Sequence, residues 1–324
     1  MYERFYGLRE LPFELTPNPQ FIFLTPQHRE ALSNLHYGLS SAKAITVLIG
    51  EAGTGKTTLL RTALESEQCQ HVRCVYLNNP TLTPQDFIRL LALRFDLSAA
   101  AAESKAVFLD ELERVLRERR EAGEITALVV DEAQSLSFEL LEELRLLANI
   151  ETTTQKLLPL VLAGQPSLHA LLNDTALRQL KQRVALRCEI APFDLAQTAA
   201  YIATRITTAG GDASRLFTRE AVALIHEYAA GIPRMISVLC DNALANGMAL
   251  RRKPVDHSII VDVGRDFCVD GQPAPLRISA APVAASAEAA VLPTTDQSGS
   301  RPRRWPWWNR SRSTFVKPAE ALIK

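Results

Sequence analysis

Short apolar runs separated by amphipathic stretches dominate the first 190 residues. Runs at 44–50, 72–77, 125–130, 157–163 and 185–190 are nearly continuous in Ile, Val, Leu and Ala. Such runs predict parallel strands buried on both faces, where side chains need not alternate. Between them, hydrophobic positions recur with the 3.6-residue period of a helix. Over 104–120, Phe108, Leu112, Val115 and Leu116 share one face, while Glu113 and Arg117 are spaced to pair on the other. Strands alternating with helices predict a parallel sheet covered on both sides.

After Pro192 the strand pattern stops. Residues 194–209, 218–230, 232–250 and 256–266 read as helices, with breaks at Gly210-Gly211 and Gly231. They predict a second, all-helical unit. At the other end, Tyr2, Phe5, Tyr6, Phe13, Phe21 and Phe23 alternate with Pro12, Pro17 and Pro19. This predicts an extended arm wrapping a core, followed by a helix from about Pro26. Beyond 270 the chain turns Ala/Pro/Ser-rich and loses its period, which predicts a flexible linker. The expected organisation is therefore an arm (1–40), an α/β core (41–192), a helical lid (193–270), and a disordered linker with a basic, Trp-rich tail (271–324).

Composition narrows the class. With 324 residues and 47% hydrophobic content, the chain can build one large or two modest cores. Lys plus Arg and Asp plus Glu balance at 36 each, so no overall field steers the protein to nucleic acid or anionic lipid. No apolar run reaches the ~18 residues of a membrane span. The start carries Glu3, Arg4, Arg9 and Glu10 with no apolar core, so no signal peptide is expected there and a cytoplasmic protein is expected. The five cysteines, Cys69, Cys74, Cys188, Cys240 and Cys268, are scattered. Cys69, His71 and Cys74 are spaced like half a metal clip, but Cys74 falls in a strand and no second ligand pair is near, so ordinary reduced thiols are expected.

The chemistry starts at the end of the first apolar run. Gly50, Glu51, Ala52, Gly53, Thr54, Gly55, Lys56 and Thr57 fit the phosphate-loop pattern G-x-x-x-x-G-K-[ST], with Thr58 following. Glycines let successive N–H groups curl toward a phosphate, and the helix that follows adds its positive end. Lys56 would reach the β- and γ-phosphates of ATP, and the Thr57 hydroxyl would hold Mg²⁺. About 75 residues on, an apolar strand ends in Asp131 and Glu132. Asp131 would hold Mg²⁺ through its waters, and Glu132 would polarise the attacking water as general base.

Three further polar residues follow this frame. Gln165 ends the strand of "LLPLVLAGQPSL", between the acids and the γ-phosphate, where it could orient water or merely cap its own turn. Arg183 sits where a helix meets the last strand. It is either a finger for a neighbouring subunit's γ-phosphate, with Arg178 as the alternate, or a helix-end arginine favoured by the macrodipole. Arg234, after Gly231 and Pro233, opens a lid helix from which it could contact phosphate.

In these residues the chain resembles an AAA+ ATPase. The opening "MYERFYGLRELPFELTPNPQFIFLTPQHREAL", with "GEAGTGKTTLLR", "VVDEAQ", "VLAGQPSL", "LRQLKQRV" and "GIPRMISVLCDNAL", is similar to the ExeA/GspA type within that class, over about residues 1–268. The resemblance implies a phosphate-loop sheet with a helical lid. It also implies ATP and Mg²⁺, an arm that helps enclose adenine, an oligomer with Arg183 acting in trans, and hydrolysis that remodels a partner. Secretion members of this type carry a membrane span and a peptidoglycan-binding region after the ATPase, and both are expected to be lacking here. Relatives of the same look serve exopolysaccharide systems or, as nucleotide-gated switches, DNA transposition. The tail "RPRRWPWWNRSRS" sets five arginines around Trp305, Trp307 and Trp308. It reads as a disordered end without partner, as a peripheral contact of residues 301–312 with the inner membrane, or, less readily, as a nucleic-acid contact.

Overall fold

Five strands form one sheet in the order β2-β3-β4-β1-β5, every neighbouring pair parallel. They are β1 (Ile45–Gly50), β2 (Val72–Asn78), β3 (Ile125–Asp131), β4 (Leu160–Gly164) and β5 (Val184–Ile190). The computed structural model describes residues 1–267 apart from 17, 79, 80 and 154. The linker, the tail with residues 301–312, and Cys268 lie outside the described residues.

The central strands β1, β3 and β4 are buried at every position, as their unbroken apolar runs require. The outer strands β2 and β5 alternate instead, exposing residues such as Arg73, Arg187 and Glu189. Charge along an edge discourages pairing with a further strand. β4 starts at Leu160 rather than at 157. Leu157 and Leu158 are buried, yet the Leu157 amide bonds Ile150 and Pro159 has no N–H to give a ladder, so hydrophobicity there marks core and not strand.

Helices cover both faces. On one, Phe87, Leu91, Phe108, Leu112, Leu116, Leu140 and Leu144 pack against Val47, Leu128, Val130 and Leu162. On the other, the helices Pro26–Ser40 and Lys56–Leu64 bury Leu35, Leu39, Leu59 and Leu60 against Leu48, Val129 and Val161. The helix over 104–120 runs Lys105–Glu121 and carries the expected pair, Arg117 to Glu113 at 2.6 Å. Exposed pairs of this kind are worth about 0.3–0.5 kcal/mol, so the buried leucine face holds the helix.

The all-helical part consists of Leu195–Thr208, Ala213–Leu216, Arg219–Ala229, Pro233–Ala249 and His257–Phe267. Asp194 opens the first with a capping box to Gln197, and Thr218 caps the third. The short turn Ala213–Leu216 lacks a period long enough to read in sequence. The arm does not run extended throughout: Tyr2–Tyr6 form a short helix closed by Gly7. Its apolar side chains join the lid, with Tyr2, Tyr6, Leu8, Phe13 and Phe21 in one cluster with Phe193, Tyr201, Ile236 and Val255. Arg205 fastens the arm, bonding the carbonyls of Pro12 and Glu14 and lying over the Phe21 ring.

Candidate functional site

The carboxyl ends of β1, β3 and β4 are neighbours in the sheet, and every central candidate sits there. Gly50 closes β1, and the loop over 51–55 leads into the helix Lys56–Leu64. Gly53 and Gly55 take φ of 84° and 100°, the left-handed region that a side chain disfavours. Glu51 and Ala52 on the loop, and Thr58 on the helix, face solvent. Thr54 is buried and donates from Oγ1 to the Glu51 carbonyl at 2.8 Å, pulling the loop into a tight turn.

Lys56 is only 4% exposed. Its ammonium donates to the carbonyls of Gly50 and Glu51 at 2.9 and 3.0 Å. Burial pushes its pKa down, while Glu132, Asp131 and Glu51 oppose that shift. Thr57 donates from Oγ1 to Asp131 Oδ2 at 2.6 Å, joining the phosphate loop to β3. Tyr76 of β2 donates to the same oxygen at 2.7 Å, and the Glu132 amide donates to Oδ1 at 3.0 Å. Burial and this donation to Asp131 raise the Tyr76 pKa, so the phenol stays a donor at working pH. A carboxylate offers about four lone-pair sites, and these three donors leave Asp131 one.

Glu132 follows at φ 54°, ψ 38°, strained for a residue with a side chain. Its Oε2 accepts from Gln134 Nε2 at 2.6 Å and from Gln165 Nε2 at 3.3 Å. Gln165 stands just past β4 as the N-cap residue of the helix Pro166–Leu172. Its side chain therefore meets Glu132, and it is not merely a turn amide.

The lid also touches the loop. The Arg234 amide, in the first turn of Pro233–Ala249, donates to the Gly53 carbonyl at 3.3 Å. The rest of Arg234 is exposed beside the loop. From the arm side, buried His28 donates from Nε2 to the Thr54 carbonyl at 3.1 Å and accepts from Thr25 Oγ1 at Nδ1. This tautomer follows from the Thr54 carbonyl, which can only accept. Burial lowers the His28 pKa, so the ring stays neutral.

Arg183 lies apart. It precedes β5, whose first residue pairs with Ile45 and whose last pairs with Gly50. A strand of that length puts Arg183 roughly 20 Å from the loop of its own chain. Its Nε is buried without a hydrogen-bond partner among the described residues. Arg178 is exposed one short helix earlier.

Three residues of the site are not singled out by the sequence. Tyr76 lies in an apolar run and His28 at a helix start, with nothing local to mark either. Gln134 stands inside "VVDEAQ", but only the turn after β3 reveals which way its amide points.

The donor set fits a nucleoside triphosphate with Mg²⁺. A glycine-shaped loop at a helix N-terminus carries a buried ammonium, and beside it Thr57 and Asp131 offer oxygen only, the preference of Mg²⁺.

The chain is similar to known proteins in both sequence and fold. A family model described as an AAA domain matches residues 39–172. General secretion pathway protein A of Aeromonas hydrophila is 37% identical over 260 residues, covering 80% of this chain and 47% of that protein. The chain thus spans about half the length of that curated relative. Among solved structures, the ORC2 protein of Aeropyrum pernix in its ADPNP–ADP complexes superposes with a TM-score of 0.57 at 14% identity, over 79% of this chain and 71% of that one. Cdc6p from Pyrobaculum aerophilum gives 0.57 at 19% identity, over 75% and 67%. Identities this low speak for the fold alone. By its sheet order, its phosphate loop and the AAA-domain match, the chain is a phosphate-loop protein of the AAA class, and over 80% of its length it is similar to general secretion pathway protein A.

Proposed function

We propose that this protein is an Mg²⁺-dependent ATPase whose hydrolysis drives assembly or remodelling of a partner complex in a secretion, export or exopolysaccharide system. The observation that carries the reading is the bond from Thr57 to Asp131, with Lys56 and Glu132 beside it. It brings the loop, the carboxylate and the candidate base to one point from residues 74 positions apart. In this reading the loop amides and Lys56 bind the phosphates. Thr57 and Asp131 would hold Mg²⁺, which when bound neutralises charge on the phosphate oxygens. Glu132 takes the proton of the attacking water at Oε1, the oxygen left by the two amides on Oε2. Arg234 contacts phosphate from the lid.

Arg183 acts in trans in this reading, which its place roughly 20 Å from the loop of its own chain supports. Specific activity should then rise with protein concentration, and Arg183→Ala should abolish the rise. The secretion relative named above supports a partner complex as the target. No helix among the described residues is long and apolar enough to cross a membrane.

The deciding experiment is Glu132→Gln in the full chain, with nucleotide binding and phosphate release both measured. Binding should persist while turnover falls by about 10²–10⁴, the usual contribution of a general base. Wild-type turnover would remove Glu132 from this role.

A further inference from the structure

We infer that Gln134 is a positioning residue for hydrolysis, aiming the carboxylate of Glu132 by tying it to the end of β4. The inference rests on the reading of Glu132 as general base. Gln134 uses both ends of its amide. Nε2 donates to Glu132 Oε2 at 2.6 Å, and Oε1 accepts from the backbone amide of Gln165 at 3.0 Å. Gln165 closes the ring by donating from its own side chain to the same Glu132 oxygen. A base set in left-handed backbone directly after a strand has no regular element to aim it, so its direction must come from side chains.

An independent feature marks the place as built for this amide. Gly164, the last residue of β4, has an ordinary backbone conformation, and its φ does not call for glycine. What calls for glycine is space. A methyl there would come within 2.7 Å of Gln134 Oε1 and 2.9 Å of Leu168 Cδ2. The end of β4 is notched where the amide passes. Both amides converge on Oε2, and the ring therefore presents Oε1 in a defined direction. Misplacing a reacting group by about an ångström costs up to 10²-fold in rate.

The test compares Gln134→Met, which keeps length and packing but loses both hydrogen bonds, with Glu132→Gln and with the double variant. All are made in the full chain. Steady-state phosphate release gives kcat and KM, and a fluorescent ATP analogue gives affinity. Gln134→Met should lower kcat about 10- to 100-fold with nucleotide affinity within twofold of wild type. Because Gln134 acts through Glu132, the double variant should be no slower than Glu132→Gln alone. Gly164→Ala should reproduce the kcat loss by displacing the amide. If Gln134→Met turns over within twofold of wild type while Glu132→Gln is inactive, the inference is overturned and the base assignment stands. Losses that multiply in the double variant would overturn it in the same way. If Glu132→Gln turns over normally, both fall.

Discussion

Replacing Gly53 with alanine tests whether the phosphate loop and the lid are one mechanical unit. Gly53 has φ +84°, where a Cβ costs about 1–2 kcal/mol. The new methyl would also lie 2.8 Å from Arg234 Cβ and 3.1 Å from Ile232 Cγ2. Arg234 Cβ is anchored to a helix backbone and cannot swing away. The lid helix or the loop must shift, and the bond from the Arg234 amide to the Gly53 carbonyl goes with it. A net hydrogen bond adds about 1 kcal/mol, bringing the total to about 2–3 kcal/mol. If this is lost from the nucleotide-competent arrangement, affinity falls roughly 30- to 150-fold, at 1.4 kcal/mol per decade. Gly123→Ala is the control: its φ is +81°, but a methyl there meets nothing within 4 Å. It should cost the backbone strain alone, lowering Tm without touching affinity. Both variants would be followed by thermal melts and by titration with a fluorescent ATP analogue. If Gly53→Ala binds like Gly123→Ala, the lid does not brace the loop.

Lys56→Met should abolish the rise in Tm that ATP produces in the wild type; a remaining nucleotide-dependent shift would show that the buried ammonium is not the phosphate contact. His28 is held neutral with its folded pKa below the unfolded value of about 6.5, so the unfolded chain binds the extra proton. Stability should therefore fall as pH drops below about 6.5, and His28→Gln should flatten that slope in melts from about pH 7 to 5, leaving the part due to His36, which shifts the same way. An unchanged slope would contradict the buried, neutral ring. Arg205→Lys cannot reproduce the fork that reaches Pro12, Glu14 and Tyr201, so limited proteolysis should cut the arm before residue 25 sooner than in wild type. Equal resistance would mean that apolar packing alone holds the arm.

The sheet and the loop were legible for local reasons. A strand buried on both faces must be apolar along its whole length, and the runs of β1 and β3 announce that directly. A backbone that must curl around a phosphate needs glycine at given offsets, so the loop carries its own spelling. Legibility failed where apolar residues served a different end. Leu157 and Leu158 fill the core from a loop, which hydrophobicity cannot distinguish from a strand. The edge strands β2 and β5 were found, but their half-exposed character depends on having one sheet neighbour instead of two.

The chain by itself determined the types of the long elements, the parallel class of the sheet and the identity of the loop and acidic residues, because periodicity and backbone demands act over a few neighbouring positions. Only the tertiary structure decided the strand order, which sets β3 beside β4 and β4 beside β1 and so brings Asp131, Gln165 and Lys56 to one end. It alone decided that Tyr76 from an edge strand bonds Asp131, that His28 from the helix Pro26–Ser40 holds the loop, and that Arg183 stands a strand's length from it. The two bonds join residues 55 and 26 positions apart, through side chains whose direction depends on how whole elements pack. No local pattern encodes them, because the free energy that selects them is the burial of faces from distant segments against one another.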